Sequence, residues 1–215
     1  MSSTRIAPVA PPYSPALAER FARLVPPGMT PPAIFRVVAR NESLFLHMVD
    51  GGWLGPTGLL DRRVLPARLR ELLILRTCVA TGNDYEWHLH VNTISARMGL
   101  TDAQIDDTRS AVLEAPAWSA DERAAAALAG SPLWSEAEYA ALALVDALVK
   151  RLDVGDALYA RLRAHYDEST LIEMTQLVGL YTGVAMLVAL ARPQRDDYVV
   201  AQPARTLDAA EGSTS

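Results

Sequence analysis

The sequence predicts an all-α fold, a compact multi-helix domain. Apolar residues recur at helical spacing in stretches of helix length, no strand-like alternation persists, and the stretches are bounded by Ser, Thr, Asn and Gly in capping positions. Residues 1–14, rich in Pro, Ser and Ala, read as an extended or disordered segment. A short amphipathic helix over 16–24 follows, closed by the break Pro26-Pro27-Gly28-Met29-Thr30-Pro31-Pro32. Thr30 ahead of two prolines reads as the start of one helix over 33–49, stopped by Gly51-Gly52. A strongly apolar helix is expected over 68–80, ended by Thr81-Gly82, and Asn83 or Asp84 caps the next, which reads on to Met98 with Gly99 as its C-cap. Thr101 with Gln104, and Ser135 with Glu138, have the spacing of capping boxes. Further helices are expected over 121–129, 135–152, 155–166 and 169–191. Short connections favour antiparallel neighbours. The predicted organisation is a disordered segment 1–14, a single helical domain 15–192 and a flexible tail 193–215 that is disordered or wraps a neighbouring subunit.

Composition narrows the function classes. The chain has 215 residues, half of them hydrophobic, and a net charge of -5 with interspersed signs. A nucleic-acid surface needs a basic stripe, and the most notable basic pair is Arg62-Arg63, which a solvated face explains. One cysteine, Cys78, excludes an intramolecular disulfide framework and fits a reducing compartment. The first residues show no apolar secretory core. Residues 177–191 carry no charge, but fifteen residues fall short of the ~20 of a spanning helix. They read as a buried helix and a candidate subunit interface. A cytoplasmic protein is expected, with no nucleic-acid or membrane partner.

The chemistry concentrates on one apolar helix. Glu86 and His90 stand four residues apart, so one helix face carries both. A carboxylate beside an imidazole is a common acid/base pair, although a dipole-favoured Glu and a satisfied core His would look alike in sequence. His88 falls on another face and reads as exposed or packed at an interface. His88 and His90 cannot chelate together on a helix, and Glu86, His90 and Glu71 make a thin zinc set, so no metal is expected. Arg76 has the fork to hold a substrate carboxylate. Tyr85, Trp87 and Tyr181 are either pocket-lining or core, and Cys78, inside an apolar run, reads as buried and inert.

The stretch from Arg70-Glu71 through Asn83-Asp84-Tyr85-Glu86-Trp87-His88-Leu89-His90 resembles the carboxymuconolactone decarboxylase family, whose relatives include alkylhydroperoxidase-D-type peroxidases. The peroxidase pattern is a Glu, then Cys-x-x-Cys, then His, and Glu71, Asn83, Glu86 and His90 occupy those places. Both cysteine positions are lost, which removes the attacking thiolate and its resolving partner and with them dithiol peroxide reduction. The decarboxylase pattern Glu-aromatic-x-Leu-His matches 86–90, and Gly179-Leu-Tyr-Thr-Gly-Val184 is similar to the C-terminal helix of that branch. The resemblance implies a helical homo-oligomer and a cofactor-free enzyme that moves protons on a small carboxylated or lactone-type molecule, in a decarboxylation or related isomerisation. Glu86, His90 and Glu71 would be catalytic, with Arg76, Asn83, Tyr85 and Tyr181 binding substrate. Glu71 has a structural alternative, an ion pair with Arg70, Arg76 or another buried Arg. Asn83 either donates to a substrate oxygen or, the favoured reading, caps its helix. A non-catalytic scaffold or ligand-binding protein of the same fold is the alternative function, and burial of Glu86 discriminates the two.

Overall fold

The structure, a computed structural model, describes residues 3–55, 58–59, 64–109 and 133–197. Among these residues it is helical with no strand. The helices are α1 (Pro15–Leu24), α2 (Ala33–Val38), α3 (Glu42–Asp50), α4 (Ala67–Thr81), α5 (Asp84–Thr93), a 3-10 turn (Ser95–Met98), α6 (Asp102–Asp107), α7 (Glu136–Arg151), α8 (Asp156–Arg163) and α9 (Glu168–Ala191). The expected helix over 121–129, the Arg62-Arg63 pair and the tail from 198 lie outside the described residues.

The described residues group into two compact units, 3–64 with 186–197, and 65–185. In the first unit Phe21 of α1 stacks between Tyr13 and Phe45, with both centroid separations 4.9 Å. Leu17, Val38, Val49 and Leu54 complete this core, and Leu187 packs on it. The single helix expected over 33–49 is two, because Asn41 accepts a hydrogen bond from Leu44 N–H at 3.1 Å and starts α3 afresh. Thr30 does not cap α2. Asp196 does so from far along the chain, its carboxylate accepting from Ala33 N–H at 3.0 and 3.1 Å. Residues 193–197, expected to be tail, therefore include a buried structural contact. The opening segment is tied too: Arg5 and Ile6 donate to the Ala191 carbonyl, and Val9 to that of Arg36.

The second unit is built around α4. Every residue of α4 from Leu69 to Cys78 except Arg70 is buried, so this helix is enclosed on all sides. It packs most extensively on α7 and also touches α5 and the 3-10 turn, while α7 packs on α8. Gly82, at φ 65°, ends α4 in the left-handed conformation that glycine adopts without strain. Both capping boxes form as the sequence predicts, Thr101 with Gln104 and Ser135 with Glu138. The helix expected to run from 84 to Met98 breaks at Ile94, and a 3-10 turn continues to Gly99. This break turns Ser95 inward.

Helix α9 is not the buried helix expected. It has 24 residues, and a third of its most apolar window is buried, with Ile172, Met186 and Leu190 exposed. Among the described residues it is the helix long and apolar enough to cross a membrane by length and composition.

Candidate active site

Charged groups on an enclosed helix need partners, because an unpaired buried charge costs several kcal/mol. Helix α4 buries two, Glu71 and Arg76, each 0% exposed, and the structure gives them different surroundings.

Arg76 has an internal partner. Its Nε and one terminal nitrogen donate to the two oxygens of Asp146 at 2.9 and 2.6 Å, and the other donates to the Thr108 carbonyl at 2.7 Å. This fork pins α4 to α7 and to the end of α6. The substrate-orienting role expected of Arg76 gives way to a structural one, since the guanidinium is engaged and sealed.

Glu71 faces α5. His90 Nδ1 lies 3.1 and 3.0 Å from the two Glu71 oxygens, and Ser95 Oγ donates to Oε1 at 2.6 Å. Ser95 was not anticipated. Its approach depends on the break at Ile94, and a helix continued to Met98 hides it from any periodicity argument. On the other side of the imidazole the Tyr181 hydroxyl, from α9, sits 3.2 Å from His90 Nε2. Glu86 Oε2 lies 3.8 Å from the same nitrogen, an electrostatic neighbour beyond hydrogen-bond reach. The structure thus joins Ser95, Glu71, His90 and Tyr181 in one buried chain of hydrogen bonds with Glu86 at its flank.

The carboxylate holds the imidazole in one tautomer. Nδ1–H donates to Glu71, which leaves Nε2 to accept from the Tyr181 hydroxyl in neutral His90 and to donate in the imidazolium. Burial pushes the Glu71 carboxyl up, but the His90 charge and hydrogen bond, the Ser95 hydroxyl and Arg70 together bring it below its ordinary value. Burial lowers His90, yet the Glu71 charge and hydrogen bond, with Glu86, carry it above its ordinary value. The Tyr181 phenol is held far up by burial and the charges of Glu86 and Glu71. The Cys78 thiol is pushed up the same way, and so stays a neutral, buried thiol with no described cysteine partner.

Asn83 is the N-cap of α5, its Oδ1 accepting from Glu86 N–H at 3.3 Å. At about 100° per residue, Asn83, Glu86, Trp87 and His90 share one face of α5. Tyr85 lies on the opposite side, buried, and is not brought to the His90 chain. His88, expected to be exposed or at an interface, is 1% exposed, with Nδ1–H donating to the Asp84 carbonyl at 2.8 Å. Local helix geometry supplies that acceptor from one turn back. Among the described residues no cluster of His, Cys, Asp and Glu is arranged to hold a metal.

Residues 56–130 match the model of the Carboxymuconolactone decarboxylase family. No curated protein matches the chain. Among solved structures, the debrominase Bmp8 in its apo form is similar at TM-score 0.69 and 17% identity, over 93% of this chain and 96% of that one. A cysteine-to-alanine variant of that debrominase in complex with 2,3,4-tribromopyrrole gives TM-score 0.67 and 16% identity, over 93% and 95%. A protein of unknown function from Agrobacterium tumefaciens, described as a candidate antioxidant defence protein AhpD, gives TM-score 0.51 and 22% identity, over 64% and 83%. At these identities the likeness is one of fold.

Proposed function

We propose that this chain, whose residues 56–130 match the carboxymuconolactone decarboxylase family model and which lacks the Cys-x-x-Cys pair, is a cofactor-free enzyme of proton transfer. Its substrate is a small carboxylated or lactone-type molecule, and the reaction is decarboxylation or a related isomerisation. The observation that supports this reading is the buried chain Glu71–His90–Tyr181, with Glu86 beside the same imidazole nitrogen that Tyr181 meets.

Each group has a task that its surroundings suit. Glu71 stays ionised and holds His90 as a charged proton reservoir. The imidazolium gives its Nε2 proton to the Tyr181 oxygen as the Tyr181 hydroxyl proton passes to carbon, a concerted hand-over that avoids a free phenolate. Glu86 is placed to take a proton from carbon in an isomerisation, or to balance the imidazolium while CO2 departs. Burial of all four side chains strengthens these interactions relative to water. A non-catalytic scaffold would have no use for Glu86 as a 4%-exposed carboxylate beside a histidine, and a solvated Glu86 would have favoured it.

The test is CO2 release from carboxymuconolactone by the wild-type protein and by Glu86→Gln. Release by the wild type with at least a hundredfold loss in the variant is expected, the scale of a general acid–base contribution. No release by either protein rejects the decarboxylase assignment.

A further inference from the structure

Asn83 has a group that its capping role does not use. Its Oδ1 accepts from the Glu86 amide, which fixes the orientation of the side-chain amide and leaves Nδ2 as an obligate double donor. That nitrogen is buried, in a residue 3% exposed, and has no hydrogen-bond partner. A buried donor left unmade is costly, and such a group in a native site calls for an acceptor. Trp87, one turn further on the same face, carries a second buried and unpartnered donor, Nε1. Asn83 caps the start of a ten-residue helix and Trp87 stands just past its first turn, at the end where the macrodipole is positive and on the side that holds Glu86 and His90.

We propose that Asn83 Nδ2, at the N-terminus of α5, is an oxyanion subsite that takes the carbonyl oxygen of the substrate. This deepens the proton-transfer reading and rests on it. The substrate class becomes a carbonyl compound, a ketone, ester or lactone, that reacts through its enolate. In a decarboxylation the bond from carbon to the departing CO2 breaks and its electron pair runs into the carbonyl, leaving the negative charge on oxygen beside Asn83. A proton delivered by the His90–Tyr181 pair then closes the carbon, the carbonyl re-forms, and solvent re-protonates the pair. A neutral amide and a helix terminus suit this task because they favour charge that develops during the reaction without binding the substrate as an ion pair.

The probe is 4-nitrophenol, whose phenolate carries an enolate-like oxyanion and whose absorbance separates the ionised from the neutral form. Asn83→Ser keeps an oxygen cap on α5 and removes the donor, and Asn83→Asp keeps the cap and sets a negative charge at the subsite. We expect the wild type to bind the phenolate, Asn83→Ser to bind it roughly ten- to a hundredfold more weakly, the loss of one hydrogen bond to a charged acceptor, and Asn83→Asp not to bind it, with melting curves showing both variants folded. No binding by the wild type, or equal affinity in wild type and Asn83→Ser, overturns the subsite. Loss of binding in Tyr181→Phe with none in Asn83→Ser also overturns it, because the oxyanion then sits on the hydroxyl. Failure of the proton-transfer reading looks different: phenolate binding that depends on Asn83, with no CO2 release from carboxymuconolactone.

Discussion

At the residue scale, His90 and Glu71 set each other's charge, and the sign of their coupling fixes a pH profile. His90 titrates above its ordinary 6.5 in the folded chain, so its contribution to stability is whole below 6.5 and is lost as pH rises through the raised value. Glu71 titrates below its ordinary 4.5, so its contribution is whole above 4.5 and is lost as pH falls through the lowered value. The pair therefore stabilises the fold fully between about 4.5 and 6.5 and less on either side. Glu71→Gln removes the partner and leaves burial, the largest influence on His90, unopposed by that carboxylate. The imidazole of the variant is expected to titrate below 6.5, read from its ring-proton chemical shifts. A titration unchanged from wild type would count against the pairing. The spacing of Glu86 and His90 was readable in the chain because helical period alone puts both on one face. Ser95 was not, since its role follows from a kink that no local propensity announces. The fate of Arg76 was readable in hindsight: Asp146 lies inside the apolar run of α7, and two opposite charges on two enclosed helices have few partners but each other.

At the element scale, caps explain both what the sequence revealed and what it concealed. Ser135 and Thr101 carry their reciprocal partner three residues on, and both boxes form. Asn41 lacks a Glu or Gln at that third position, and the apolar pattern on either side of it reads as one helix. Its side-chain bond to Leu44 N–H divides α2 from α3. Asn41→Ala is expected to destabilise the chain by about 1 kcal/mol in denaturant titration, and Asn41→Asp by a few tenths at most. Equal losses in the two variants would show that the oxygen cap is not what starts α3. The cap of α2 had no local signal at all, because Asp196 supplies it across 163 positions. The apolar run of α9 was visible, but not its exposure, since composition records an apolar surface without saying what it faces.

At the scale of the whole molecule, each unit is closed by a polar tie between distant segments. In the second unit the tie is Arg76 with Asp146, buried on both sides. Arg76→Leu leaves a buried carboxylate without its partner and is expected to cost about 3–5 kcal/mol, whereas Arg76→Leu with Asp146→Leu recovers most of that loss. Additive losses in this double-mutant cycle, measured by unfolding in urea, would refute the coupling. In the first unit the ties run from the C-terminal part of the described chain to its N-terminal part: Arg5 and Ile6 reach Ala191, and Ala33 reaches Asp196. That arrangement has a consequence during synthesis. A ribosome working from the amino end finishes the residues of α4 to α8 before it has made the piece that completes α1 to α3. Helices α1 to α3 thus leave the exit tunnel well ahead of Leu187, which packs on their core, and Asp196, which caps α2, and they wait for both through the translation of roughly 140 residues at the usual 5–20 residues per second.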